Sequence, residues 1–315
     1  MSAAIPYRIS GHESFTCRYT WLPKVVHHLG NDERLFGNEE KAMVQLGVGK
    51  NMVRSIRFWA QSADIVISKG KEAGHHLTPF AMSLLGDRGL DRYLEDVRTL
   101  WLIHWKLATN SRAPLLAWDY LLNSWQEPEI TPSTVVKALH KETLKQGDKL
   151  SLTTVAQHFD TFLHTYVPTR GRKGMVQEDN LDCPLVELSL IVKIGDRDLD
   201  QSTGRRETIY AFRRDEKSEI TPEVFLYCLN SFWRARHPTE EILSFREVAH
   251  GHGSPGQVFK LPEEDVRNRL DGLDELTGGG FTYAESSNLQ QVQRTAFQDD
   301  LKLLKRIYKP HARNH

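Results

Sequence analysis

Residues 39–60 restrict this chain more than any other stretch. Ala42, Met43 and Leu46 recur at helical spacing over 39–46, and Gly47, Val48 and Gly49 follow as a tight turn. Residues 50–60 then predict a second helix. Val53, Ile56, Trp59 and Ala60 share one side of it, and Lys50, Arg54 and Arg57 form a stripe roughly opposite. Two helices joined by a glycine turn, one face apolar and the other basic, are the pattern of a helix-turn-helix whose second helix enters a major groove. In that reading Asn51 and Arg54 suit base edges, and Lys50 and Arg57 suit phosphates.

Short strands at 64–67 and 75–78, joined by a polar turn, predict a wing directly after this pair. Thr78 and Pro79 cap a helix that runs to Leu85. Two plainer readings stay open. The basic stripe is also what a solvated helix face looks like, and winged helices also bind proteins.

Composition matters here because it withholds support. Lys+Arg and Asp+Glu both number 41, so any basic surface must be local. Near-zero net charge favours association, with partners or as a homodimer. Length and composition (315 residues, 39% hydrophobic, 26% charged) predict two or three domains with buried cores. The expected fold is α+β and mainly helical: a winged helix-turn-helix over 1–88, a helical middle domain with a small antiparallel sheet over 89–218, and a C-terminal helical or winged-helix-like interaction domain over 219–315. The aromatic stripe of 93–108 predicts a core helix. Helices are expected at 135–145, 152–166, 223–234, 262–275 and 289–308. Strands at 188–194 and 208–212 would be joined by a polar loop over 195–206. Residues 241–273 resemble a second winged helix, but its later helix holds Glu263, Glu264, Asp265 and Asp271 against Arg267 and Arg269, which suits a protein partner better than a groove.

Cys17, Cys183 and Cys228 lie far apart without a CxxC pair, as expected of buried thiols in a reducing cytosol. Neither a leader nor an apolar stretch of bilayer-spanning length is evident, so the expected location is cytoplasmic, away from membranes. The sequence contains no Walker A loop, dinucleotide fingerprint, GxSxG or HExxH. Signs of ATP hydrolysis, redox cofactors and zinc proteolysis are therefore missing.

Two polar clusters could carry chemistry. His12 and Glu13 could supply a general base and a metal-binding carboxylate, followed by Arg18; the alternative is a capped helix start. Glu178, Asp179 and Asp182 follow Arg170, Arg172 and Lys173. These carboxylates could hold Mg²⁺ with the basic residues near a phosphate backbone, or form an acidic loop before 185–190. Neighbours in one loop cannot all face one ion, so a metal site here would need carboxylates from elsewhere.

Gly11 to Phe15 (GHESF) with Arg18 and Trp21, residues 46–59 (LGVGKNMVRSIRFW), Thr78 to Phe80, residues 93–96 with 101–105, and residues 178–182 (EDNLD) together resemble a bacterial family. That family is catalogued as a domain of unknown function, occurs in DNA phosphorothioation clusters and comprises SspB-like proteins. The resemblance extends to about Leu190. It implies a component that nicks double-stranded DNA so that sulfur can replace a non-bridging phosphate oxygen, within a phage-defence system. Its implied companions are an SspA-like cysteine desulfurase, an SspC-like ATPase and an SspD-like sulfur-transfer protein. Residue chemistry adds a site: Glu13, Asp179 and Asp182 holding Mg²⁺ or Mn²⁺, with His12 and Glu178 as further catalytic groups. Arg18, Lys50, Asn51, Arg54, Arg57, Arg170, Arg172 and Lys173 would hold the DNA. The alternative is a non-enzymatic DNA-binding subunit or transcriptional regulator that recruits the sulfur-transfer machinery.

Overall fold

Glycine at position 47 sets the first motif. A computed structural model describes residues 7–68, 74–147, 149–168, 183–200, 204–286 and 289–309. In it α1 (Trp21–Asn31) precedes α2 (Glu39–Leu46) and α3 (Lys50–Ser62). Asn38 caps α2 by accepting from the Lys41 amide, and Gly47 ends it at φ 67°, a left-handed conformation that favours glycine. The α3 face with Val53, Ile56, Trp59 and Ala60 is buried, as the spacing predicts, while Lys50, Asn51 and Arg57 are exposed. Strands β1 (Val66–Ser68) and β2 (His75–Leu77) pair antiparallel. The Thr78 hydroxyl accepts from the Ala81 amide to cap α4 (Pro79–Leu85).

The chain divides into two compact units. One comprises the chain up to Glu95 with Lys106–Arg213; the other comprises Asp96–Trp105 with the chain from Arg214. The helix α5 (Val97–Thr109) contributes residues to both. The aromatic stripe expected over 93–108 is buried at Leu100, Trp101, Trp105 and Ala108.

The first unit continues through α6 (Leu116–Asp119), one turn of π-helix (Tyr120–Ser124), α7 (Pro132–Lys145) and α8 (Leu152–Tyr166). Its core is aromatic. Trp118 stands edge-on to Trp59 at 5.7 Å and to Phe162 at 5.0 Å, and its Nε1–H donates to the Tyr166 hydroxyl at 3.0 Å. A hairpin of β3 (Ile191–Asp200) and β4 (Arg205–Phe212) follows, antiparallel and longer than expected. The polar run 195–200 is strand because its polar residues bond across the ladder: Thr208 donates to Asp196, and Arg197 and Arg206 pair with Glu207 and Asp198.

In the second unit, α9 (Pro222–Arg236), β5 (Ile242–Ser244), α10 (Phe245–His250), α11 (Pro255–Phe259), α12 (Glu263–Asp271) and α13 (Leu273–Thr277) lead into β6 (Phe281–Ser286) and β7 (Leu289–Arg294). The three strands form an antiparallel sheet in the order β5–β7–β6. This corrects the helix expected over 289–308: only α14 (Asp300–Ile307) is helical. Phe259 packs against Trp101 and Trp105, and Trp233 against Phe281. The three cysteines are free and buried, as expected. Among the described residues no helix is long and apolar enough to cross a membrane.

Candidate nucleic-acid interface

The exposed side of α3 is less uniformly positive than its sequence suggests. Lys50 and Arg54 both bond to Glu39 at the start of α2, at 3.0 and 2.8 Å. The pairing lowers the Glu39 pKa, first through the Arg54 hydrogen bond and then through Lys50. The helix therefore carries its own counter-charge at its N-terminal end. Asn51 is exposed beside these residues.

Arg57 lies one turn further along and lines a cleft of about 1100 Å³ with Arg8, Arg34, Lys41, Gln61 and His75. The lining includes no Asp or Glu among the described residues. Lys41 is neutralised by Asp32 at 2.7 Å. Arg8 and Arg57 are different. Burial, and then the charge of Arg57, hold the Arg8 pKa down to about 10, so two guanidinium groups meet here and Arg8 keeps its charge at neutral pH. The same charge, after burial, lowers the His75 pKa.

Arg8 is held in place. Its amide donates to the Pro114 carbonyl at 2.8 Å, its Nη1 donates to Gln61 Oε1 at 3.2 Å, and its guanidinium lies 4.4 Å from the Phe58 ring centroid. Fixed cations without an acidic partner among the described residues suit a phosphodiester. Arg8, Arg34 and Lys41 were not expected from the sequence. No periodicity links position 8 to position 57, and only the fold brings them together.

The GHESF motif forms the turn next to this cleft. Gly11, Glu13 and Ser14 have φ of 105°, 50° and 61°. Two successive non-glycine residues in the left-handed region store backbone strain of about 1–2 kcal/mol each. A side chain at Gly11 would press on Phe58 and approach Arg8, so position 11 demands glycine on two counts. His12 is buried: its Nε2 bonds to the Ile9 carbonyl at 3.3 Å, and its Nδ1 accepts from the Ser14 amide at 3.1 Å. It stacks on His158 at 5.6 Å, and burial lowers its pKa. Glu13 is exposed, and its charge reaches Arg54, whose pKa is raised mainly by Glu39. Arg18 lies 5.7 Å from the Trp21 ring centroid. Arg170, Arg172, Lys173, Glu178, Asp179 and Asp182 lie outside the described residues. Among the described residues no group of three or more His, Cys, Asp or Glu could hold a metal ion.

Removing the counter-charge should sharpen the interface. Glu39→Gln should raise duplex affinity roughly threefold and steepen its salt dependence, because Lys50 and Arg54 would then meet DNA without an internal competitor. Fluorescence anisotropy across a salt series checks this; weaker binding would mean that Glu39 positions the two cations instead.

Residues 9–308 match a family described as "Protein of unknown function (DUF4007)". Two solved structures share the fold. "Magnesium ion-bound SspB crystal structure" has a TM-score of 0.80 and 21% identity, covering 97% of this chain and 93% of that one. "SspB crystal structure" has a TM-score of 0.81 and 22% identity, covering 96% and 88% respectively. No curated protein matches the sequence.

Proposed function

The chain belongs to the DUF4007 family of proteins of unknown function, and from that premise we propose that it is the DNA-binding, DNA-nicking component of an Ssp-type phosphorothioate modification and phage-defence system. The observation that carries this reading is the pair of guanidiniums, Arg8 and Arg57, with no acidic partner among the described residues of a cleft beside the helix bearing Asn51, Lys50 and Arg54. In this reading α2, α3 and the β1–β2 ribbon act as a winged helix-turn-helix. Arg8 and Arg57 neutralise a backbone phosphate while Asn51 and Arg54 face base edges. The sheet order β5–β7–β6 around α9, α10 and α12 supports a second winged helix serving as an interaction domain. SspA-like, SspC-like and SspD-like proteins would be its companions.

The nicking step needs a site. One of the two similar structures is a magnesium-bound SspB, and the reading extends a Mg²⁺ or Mn²⁺ requirement to this chain. The described residues do not fit such an ion: both ring nitrogens of His12 are engaged, and Glu13 stands exposed without two further ligands. The metal proposal therefore falls on Asp179 and Asp182, with Glu178 beside them. The engaged nitrogens of His12 favour a second reading, a non-enzymatic subunit that binds DNA and recruits the sulfur-transfer machinery.

Supercoiled plasmid separates the two. Under the first reading Mg²⁺ or Mn²⁺ converts it to open circles, EDTA stops the reaction, and Asp179→Ala abolishes nicking while duplex binding persists. Binding without metal-dependent nicking would favour the recruiting subunit. Neither binding nor nicking would sink both.

A further inference from the structure

The second unit holds a pocket of about 520 Å³ walled by α9, α12 and α13. Glu223, in the first turn of α9, is 7% exposed, and its Oε2 is buried with no hydrogen-bond partner. Asp265 of α12, also in the wall, is 8% exposed. Its Oδ1 accepts from Arg269 Nε at 2.9 Å, while its Oδ2 is buried and unpartnered. Arg269 makes no bond to the second oxygen; its Nη1 and Nη2 donate to the carbonyls of Ile220 and Lys217. Glu216 and Glu275 add two carboxylates to the wall against one further cation, Arg306.

Carboxylate oxygens taken out of water without a donor are costly, so two in one wall mark a donor that binds from outside. The excess of carboxylates calls for that donor to be a cation. Hard divalent ions take six or more oxygen ligands in a compact shell, and among the described residues no group of three carboxylate, His or Cys ligands is assembled. A planar guanidinium instead presents five N–H donors in a fork that reaches separated carboxylates. We propose that the pocket bounded by Glu223 and Asp265 binds a guanidinium group, presented by a free guanidino compound or by an arginine of a protein partner. This is independent of the DNA reading, because every lining residue belongs to the second unit.

Calorimetric titration of the full chain with agmatine, and with a short arginine peptide amide, tests this. Saturable binding is expected, with Glu223→Gln weakening it about tenfold or more. Tetramethylammonium, a cation without N–H donors, should not bind. Tighter binding of the peptide would assign the group to a partner side chain; tighter binding of agmatine would assign it to a free compound. Gln is isosteric and the buried Glu223 Oε2 has no hydrogen bond to lose, while the loss of its charge attraction to Arg98 is offset by the relief of a buried carboxylate, so a nearly unchanged thermal midpoint should accompany the loss of binding. Glu275→Gln, an exposed wall variant, should weaken binding by about threefold. The proposal is overturned if neither probe saturates, if Glu223→Gln binds like wild type, if tetramethylammonium binds equally, or if MgCl₂ saturates the same site.

Discussion

The variant carrying both Arg8→Ala and Arg57→Ala should bind duplex DNA roughly a hundredfold more weakly than wild type near 0.1 M salt. Among the described residues the two guanidiniums have no acidic partner in the cleft lining, and each charge-assisted contact with a phosphate is worth about tenfold. The salt dependence should also flatten by about one unit of slope for each phosphate contact removed. Arg57→Ala alone is the cleaner experiment, since Arg57 is exposed and its removal leaves the core untouched. Arg8 packs on Phe58, so Arg8→Ala needs a matching measurement of stability. Unchanged affinity and slope in Arg57→Ala, with the fold intact, would remove the cleft from the interface.

The second large effect is on acid stability. His158 is fully buried, and burial, followed by the charge of His12, depresses its pKa to about 3. Its Nε2 accepts from the Ala117 amide at 3.2 Å, a bond that only an unprotonated nitrogen can make. Above about pH 6.5 the ring is neutral in both folded and unfolded chains, and this stability is fully present. As pH falls below 6.5 the unfolded chain takes up a proton that the folded chain refuses, so stability declines until the folded pKa is reached. The loss should be about 2 kcal/mol by pH 5. His12, whose pKa is also lowered by burial, adds in the same direction. Urea titrations between pH 7.5 and 4, followed by tryptophan fluorescence, measure it. His158→Gln can still accept from Ala117 and should flatten the decline; parallel curves for variant and wild type would assign acid sensitivity elsewhere.

Local periodicity made the α2–α3 pair readable, because an apolar face at helical spacing and a glycine in the left-handed region leave few alternatives. The same logic misread residues 289–294. Leu289 and Val292 are three apart, as on a helix, yet Val292 stands between Leu243 and Tyr283 in the sheet. Strand pairing with distant partners decided the outcome, and no local window contains them. The hairpin over 195–200 was shortened for a related reason: its charged residues look like loop until Arg197 meets Glu207 and Arg206 meets Asp198. At the candidate interface, the basic stripe was legible and the pairing of Lys50 and Arg54 with Glu39 was not, although both residue types were visible. Arg8 was invisible for want of any spacing rule across 49 positions.

If α3 meets DNA as proposed, the clamp of Glu39 on Lys50 and Arg54 has a kinetic consequence. A cation that must leave a tethered carboxylate to reach a phosphate gains little from any one stretch of backbone, so encounters at arbitrary sequence are brief. A site that also satisfies Asn51 and Arg54 through its bases repays the exchange. Under the proposed DNA reading the helix would scan, with short dwell times on most of the duplex and a longer pause where the bases fit.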